Sequence, residues 1–414
     1  MTTRTLGLPA VLIALFVIAS QSLMASNVAV GTCMSGKPQF PTIQAAVNAV
    51  PPLSTINVCP GSYPEQVVIT QPVTLAGVPG AGQAIVTAPA TGLVTNFLTL
   101  AGQILVENTT SVTIRDIVVD GSNDGIVPCF SIPVGILYEN ASGLIDQVAT
   151  RHNRVAANPF CDGRGIEVRS DSSLTSTVTI QNSTVRDFAF EGIRVLGPGS
   201  NVTAKTNSVS GNPAALVGTN NIDFTSGATG KIQQNSVVDA FLASLAYPNF
   251  NAGSWGILLS CASGVTVSGN TVSNTQSGIV LLSGFGCNAG SPHSDNNTVT
   301  ANNVTGSHLF EGIYVCGNNN VVQNNIINSS DEAAVDVDTS CNLPGVSGNN
   351  NTVTLNKINE ACGGVMIDPA AVGTVLGSNR LANVSFATVS GVINANVCDA
   401  VGVPDGTSKP TPLD

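Results

Sequence analysis

The chain has 414 residues, of which 43% are hydrophobic and only 9% charged, with 42 glycines and a formal charge of −11. This much apolar residue at so little charge excludes a disordered chain. Acidity without a basic cluster excludes a nucleic-acid partner.

In chain order, the first segment reads "MTTRTLGLPAVLIALFVIASQSLMASNVAV". One Arg precedes an apolar run from Leu6 to Ile18, and small residues follow. This is the pattern of a secretory signal peptide, assigned to residues 1–26. The mature protein is then expected to be secreted or extracytoplasmic and free of the membrane, since no later stretch is long and apolar enough to span a bilayer. Next comes "FPTIQAAVNAVPP", which puts Ile43, Ala46, Val47 and Val50 on one helical face before Pro51 ends it.

A repeat follows. "GILYEN" at Gly135, "GIEVRS" at Gly165 and "GIRVLG" at Gly192 return as variants at Asn221, Gly256, Gly278, Gly312, Ala334 and Gly364, in steps of 22 to 35 residues. A second phrase, Asn followed two residues later by Val, Ile or Leu, accompanies it at Asn207, Asn235, Asn270, Asn302, Asn324, Asn356 and Asn379. Two interleaved phrases on one period define a repeat architecture. Apolar residues alternate within each unit, as in "VTVSGNTV", so the elements are strands. Units this small cannot bury their own apolar face and must stack. Twenty-two residues fit three short strands and three bends, one turn of a parallel β-helix. The Asn row suits a bend with left-handed backbone geometry and stacked amides. The short helix is expected to cover the open first edge of the stack.

The stretch "PTIQAAVNAV…INVCPGSYPEQVVITQPVTLAGV" resembles the opening of the pectin-lyase-like right-handed β-helix superfamily. The resemblance covers about residues 35–395. It implies an all-β, right-handed parallel β-helix solenoid with a short N-terminal capping helix. The domain is assigned to 33–398, followed by a flexible tail, 399–414. The resemblance also points to an extracellular polysaccharide as partner. The active-site phrases of pectinesterases and polygalacturonases are missing. "SPHSD" at 291–295 resembles the Asp-Pro-His-Asp of alginate epimerases only in part, because Ser291 stands at the first Asp and the match lies in a loop.

Alternation supplies the candidate site. In each Gly-Ile strand the residue after Gly points inward and the next points outward. The outward row reads Leu137, Glu167, Arg194, Asp223, Leu258, Val280, Tyr314, Asp336 and Met366. Glu167, Arg194 and Asp223 fall on consecutive coils and are the candidate catalytic residues. At ~4.8 Å per coil the two carboxylates stand ~10 Å apart at the backbone, within reach of an inverting glycosidase geometry. Arg194 could instead pin a uronate carboxylate. The plain alternative is a surface ion-pair ladder worth ~0.2–1 kcal/mol per pair. Upstream, "ATRHNRVAANPFCDGRG" is the densest positive stretch and carries Arg151, His152, Arg154, Asp162 and Arg164. Arg151, His152, Arg154, Arg169 and Tyr314 are the candidate substrate-binding residues. Asp336 and Asp338 could hold calcium, but two carboxylates are too few for an all-protein site, so no cofactor is assigned.

Ten cysteines behind a signal peptide point to disulfides. Neighbour pairs are one coil apart in sequence: Cys33–Cys59, Cys129–Cys161, Cys261–Cys287, Cys316–Cys341 and Cys362–Cys398. A Cys341–Cys362 bridge competes with the last two. Two functions stay open. One is a monomeric polysaccharide-binding protein that cleaves, eliminates or epimerises its polymer, a uronate-type polymer being favoured. The other is a non-catalytic extracellular structural or adhesin-like module.

Overall fold

The computed structural model describes residues 24–390, except 81, 127–128, 156–157, 159, 172, 213–217, 242–252, 285–292, 309 and 340–347. The chain winds into a parallel β-helix in which each coil stacks its strands in register on those of the next. One face is a ladder of 14 strands. The other two faces are ladders carrying the Asn phrase and the Gly-Ile phrase. They merge in the last coils, where Ile326–Val337, Lys357–Ile367 and Arg380–Ser390 run through both.

Inward residues of successive coils form one continuous apolar core from Val28 to Val365. Each fully buried Val, Ile or Leu contributes ~1.5–3 kcal/mol, but only once the next coil covers it. The recurrent Gly has a steric cause. A Cβ at Gly165 would stand 2.6 Å from the Gly192 carbonyl oxygen of the next coil, and one at Gly278 2.4 Å from that of Gly312.

The Asn ladder is built of Asn207, Asn235, Asn270, Asn302, Asn325, Asn356 and Asn379. From Asn207 to Asn356 each side-chain amide donates to the next Asn Oδ1 and to a backbone carbonyl, as Asn270 does to Asn302 and Ile232 at 2.9 Å each. Two details differ from the sequence expectation. Asn325, not Asn324, occupies its coil's rung. The left-handed residue lies one position earlier, at Thr206, Gln234, Ala301, Asn324 and Leu355, rather than at the ladder Asn. The amide is thus retained for stacking and the bend is made by its neighbour.

The helix Ile43–Ala49 buries Ile43, Ala46 and Val47 in the shared core and lies against the first strands. Thr42 caps it, and the Glu65 carboxylate accepts from the Ile43 and Gln44 amides at 2.8 and 2.9 Å, where a negative charge favours the helix dipole. Strand structure begins at Asn27, ahead of the expected start at Cys33, because Asn27–Val30 pairs with Ser54–Val58. Bridges Cys33–Cys59 and Cys129–Cys161 are present, with Cα–Cα distances of 5.6 and 5.0 Å. Cys261, Cys316 and Cys362 are disulfide-bonded too. The other three expected bridges, residues 1–23 of the signal segment and the tail fall outside the described residues. Among the described residues no helix is long and apolar enough to cross a membrane.

Candidate active site

The Gly-Ile strands set the outward row in register. Leu137 lies opposite Glu167, Glu167 opposite Arg194, Arg194 opposite Asp223, and Asp223 opposite Leu258. A second row runs three residues earlier through Val134, Arg164, Glu191 and Asn220. The two rows meet. Arg164 Nη1 donates to Glu167 Oε2 at 2.5 Å, its Nη2 donates to Asp162 Oδ2 at 2.6 Å, and its Nε lies 2.9 Å from Glu191 Oε2. Arg194 reaches Glu191 at 2.9 Å and Asp223 at 3.9 Å. At the other end Arg169 lies 3.5 Å from Glu167 and 3.3 Å from Glu139, and its guanidinium sits over the Phe97 ring.

These outward residues are not solvent-facing, which corrects the expected open row. Glu167 is 0% exposed and Asp223 4%, whereas the Arg194 side chain keeps 19%. Burial changes the energetics, because a charge taken from water must find compensation in the protein. Here it does so incompletely. Glu139, Asp162, Glu167, Glu191 and Asp223 supply five carboxylates, against three guanidiniums at Arg164, Arg169 and Arg194. Full ionisation would leave two uncompensated negative charges. Burial accordingly pushes the Asp223 carboxyl up to about 6, although Arg194 and Arg164 oppose the shift. Burial, followed by the charge of Asp162, holds Glu191 well above the usual carboxylate range. At Arg164 burial works against the cation, but Glu191, Glu167 and Asp162 outweigh it and raise its pKa. Glu167 Oε1, Glu191 Oε2 and Asp223 Oδ1 are buried without an aligned hydrogen-bond donor.

Arg164 and Glu191 are the members the sequence reading underweighted. Arg164 is the first residue of a strand, Arg164–Arg169, rather than part of a positive loop. The signal for Glu191 was its phrase "FEGIRV", which returns as "FEGIYV" with Glu311. The remaining residues of that stretch, Arg151 at the end of the strand Ala149–Arg151 with His152 and Arg154 after it, form a separate group. Asp120 accepts from Arg151 at 2.7 Å and lies 2.9 Å from His152 Nδ1, while Asp187 lies 3.3 Å from His152 Nε2 and 3.2 Å from Arg154. Every arginine offered as a uronate ligand is therefore already paired with a carboxylate of the chain. Tyr314 lies farther along the outward row and donates to Asp338 at 2.7 Å. In "SPHSD", His293 accepts from Ser263 through its carbonyl, and Asp295 accepts from the Asn318 amide at 2.7 Å. Those contacts join coils rather than build a site.

Fold and rows together define a right-handed parallel β-helix protein. Residues 134–312, which carry the whole charged cluster, match the family model described as right handed beta helix region. No curated protein matches the chain. Among solved structures, a GH136 lacto-N-biosidase from Eubacterium ramulus aligns at 12% identity and a TM-score of 0.57, over 86% of this chain and 67% of that one. The A-module of a mannuronan C-5 epimerase from Azotobacter vinelandii aligns at 14% and 0.50, over 85% and 93%. A doubly substituted periplasmic alginate epimerase aligns at 14% and 0.50, over 85% and 83%. These likenesses are in fold.

Proposed function

We propose that this is an exported, carbohydrate-active β-helix protein whose proton-transfer site is the cluster around Asp223, Arg194 and Glu191. The observation that carries this reading is the charge imbalance: five carboxylates face three guanidiniums, and Glu167, Glu191 and Asp223 among them are closed to water. A purely structural network is best served by balanced charge. An excess of buried acid raises carboxyl pKa values, and a carboxyl that holds its proton up to about pH 6 can serve as a general acid in mildly acidic solution. Asp223 is the acid in this reading. Arg194, whose side chain keeps 19% exposure against 2% for Glu191 and 6% for Asp223, marks the side from which a sugar approaches. Glu167, held by Arg164 and Arg169 two coils from Asp223, is the partner carboxylate. The fold likeness to a lacto-N-biosidase and to mannuronan and alginate epimerases supports carbohydrate as the substrate class. The apolar N-terminal run and the disulfides support export. A uronate polymer loses its argument, because no candidate arginine is left unpaired.

The complete burial of Glu167 favours a second reading, a non-catalytic module in which the cluster only locks three coils together. One assay separates the two. A polysaccharide panel of neutral, amino-sugar and uronate polymers is followed for new reducing ends and for unsaturated-uronate absorbance. We expect turnover of at least one polymer by the wild type and its loss in a folded Asp223→Asn variant. Inactivity on every polymer, or full activity of Asp223→Asn, would overturn the catalytic reading.

A further inference from the structure

The same outward rows carry a second group of acids beyond Leu258 and Val280. Tyr314 lies opposite Val280 on one side and Asp336 on the other. Two carboxylates nearby are tied down. Asp338 accepts from Tyr314 Oη at 2.7 Å and from the Thr339 amide at 2.6 Å. Asp368 accepts from Thr339 Oγ1 at 2.5 Å and from the Ala370 amide at 2.7 Å. Glu311 and Glu332 are hydrogen-bonded to one another, and two carboxyl groups can bond only through a proton that one of them keeps.

Asp336 is different. It is 9% exposed, it has no hydrogen-bond or ion-pair partner among the described residues, and the charges that act on it are the carboxylates Glu311, Asp338 and Asp368. A buried, unpaired acid surrounded by acids is costly, and a positively charged ligand would relieve it. Among the described residues no three His, Cys, Asp or Glu converge closely enough to hold a metal ion. An ammonium group needs less: one or two oxygen acceptors at hydrogen-bond distance. Tyr314 gives its proton to Asp338 and so keeps oxygen lone pairs for an N–H donor. From Asp223 to Tyr314 is three coil steps along the rows, ~14 Å, so one extended chain lying along the rows spans both groups. The acidic chain as a whole attracts cations.

We propose that Asp336, with Tyr314 and Glu311, forms a subsite for a protonated amino group on a sugar, so that the carbohydrate handled along these rows carries hexosamine units with free amines. The inference rests on the carbohydrate reading above. Burial and the three neighbouring carboxylates hold the Asp336 carboxyl well above its usual range. An arriving ammonium therefore takes the place of a proton, and binding releases that proton.

The test is titration calorimetry with a glucosamine oligomer, its N-acetylated counterpart, an oligogalacturonate and a lysine-rich peptide, repeated in buffers of different ionisation heat. The free-amine oligomer should bind at least ~10-fold more tightly than the acetylated one, with proton release. Asp336→Asn should remove that preference, and Asp336→Glu should keep it. Asp336→Asn retains the side-chain shape and relieves like-charge crowding, so it tests the ligand rather than the fold. Equal affinity for the two oligomers, absence of proton release, or an unchanged Asp336→Asn each overturns the subsite. Tighter binding of the lysine-rich peptide than of any oligosaccharide overturns it too. Binding or turnover of only the acetylated oligomer overturns the subsite and leaves the carbohydrate reading standing, whereas no saccharide binding at all overturns both.

Discussion

The two acidic regions share a backbone plan and differ in what lies between their carboxylates. Around Glu167, Glu191 and Asp223, arginines alternate with acids from coil to coil. Around Glu311, Asp336 and Asp338 the charges that act on Asp336 are all negative. The β-helix thus fixes where an outward side chain goes and leaves its chemistry to the sequence. Interleaved arginines make a cluster that holds itself together while burial keeps the Asp223 carboxyl above its ordinary range. Acids alone leave Asp336 with only negative neighbours, a place that a cation from elsewhere would relieve.

The sharpest break of the first region is Arg164→Met. Arg164 touches Asp162, Glu167 and Glu191. Its loss leaves buried carboxylates uncompensated and should cost ~3–5 kcal/mol in urea unfolding, well above the ~1 kcal/mol ceiling of an exposed ladder.

The pH profile comes next. The folded Asp223 pKa, about 6, lies above its ordinary value of 3.8. The native state therefore binds the extra proton, and stability is highest below the ordinary value and falls as pH rises from about 4 to about 6. Asp223 should contribute ~3 kcal/mol of that fall, and Asp223→Asn should flatten it.

Asn270→Ala tests the ladder that runs on past both regions. It strands the Asn235 amide and the Ile232 carbonyl, so we expect a loss of ~2–3 kcal/mol by the same unfolding curve. The second region should respond with the opposite sign. Asp336→Asn removes a crowded buried acid and should raise stability at neutral pH by ~1 kcal/mol. Smallest of all, Ala301→Gly should stabilise by ~0.5–1 kcal/mol, because Ala301 sits at φ 56°.

Much of this was legible in the sequence for a physical reason. Strand alternation and a fixed coil period leave no freedom in register, so the row Leu137, Glu167, Arg194, Asp223, Leu258 could be written down before any coordinates. Bridges Cys33–Cys59 and Cys129–Cys161 followed from the same period. What the period does not carry is depth. Whether loops cover an outward residue depends on insertions of irregular length, so the burial of Glu167 and the pairing of every candidate arginine were invisible. Glu191 was missed, and Arg164 read only as part of a positive loop, because strict alternation sets residues three apart on opposite sides, whereas Arg194 reaches Glu191 at 2.9 Å and Arg164 reaches Glu167 at 2.5 Å. The one-residue error at Asn324 has a similar origin: two adjacent asparagines fit the phrase equally, and only the stacked amide selects Asn325.

In the proposed reading the buried cluster holds a proton at Asp223 up to about pH 6. Carbon-13 NMR titration of the Asp223 carboxyl in the folded protein measures this directly. The account predicts a midpoint near 6 that disappears in Asp223→Asn. A midpoint at or below ~4, the ordinary range of an aspartate, would contradict it and leave the cluster as an ion-pair clamp.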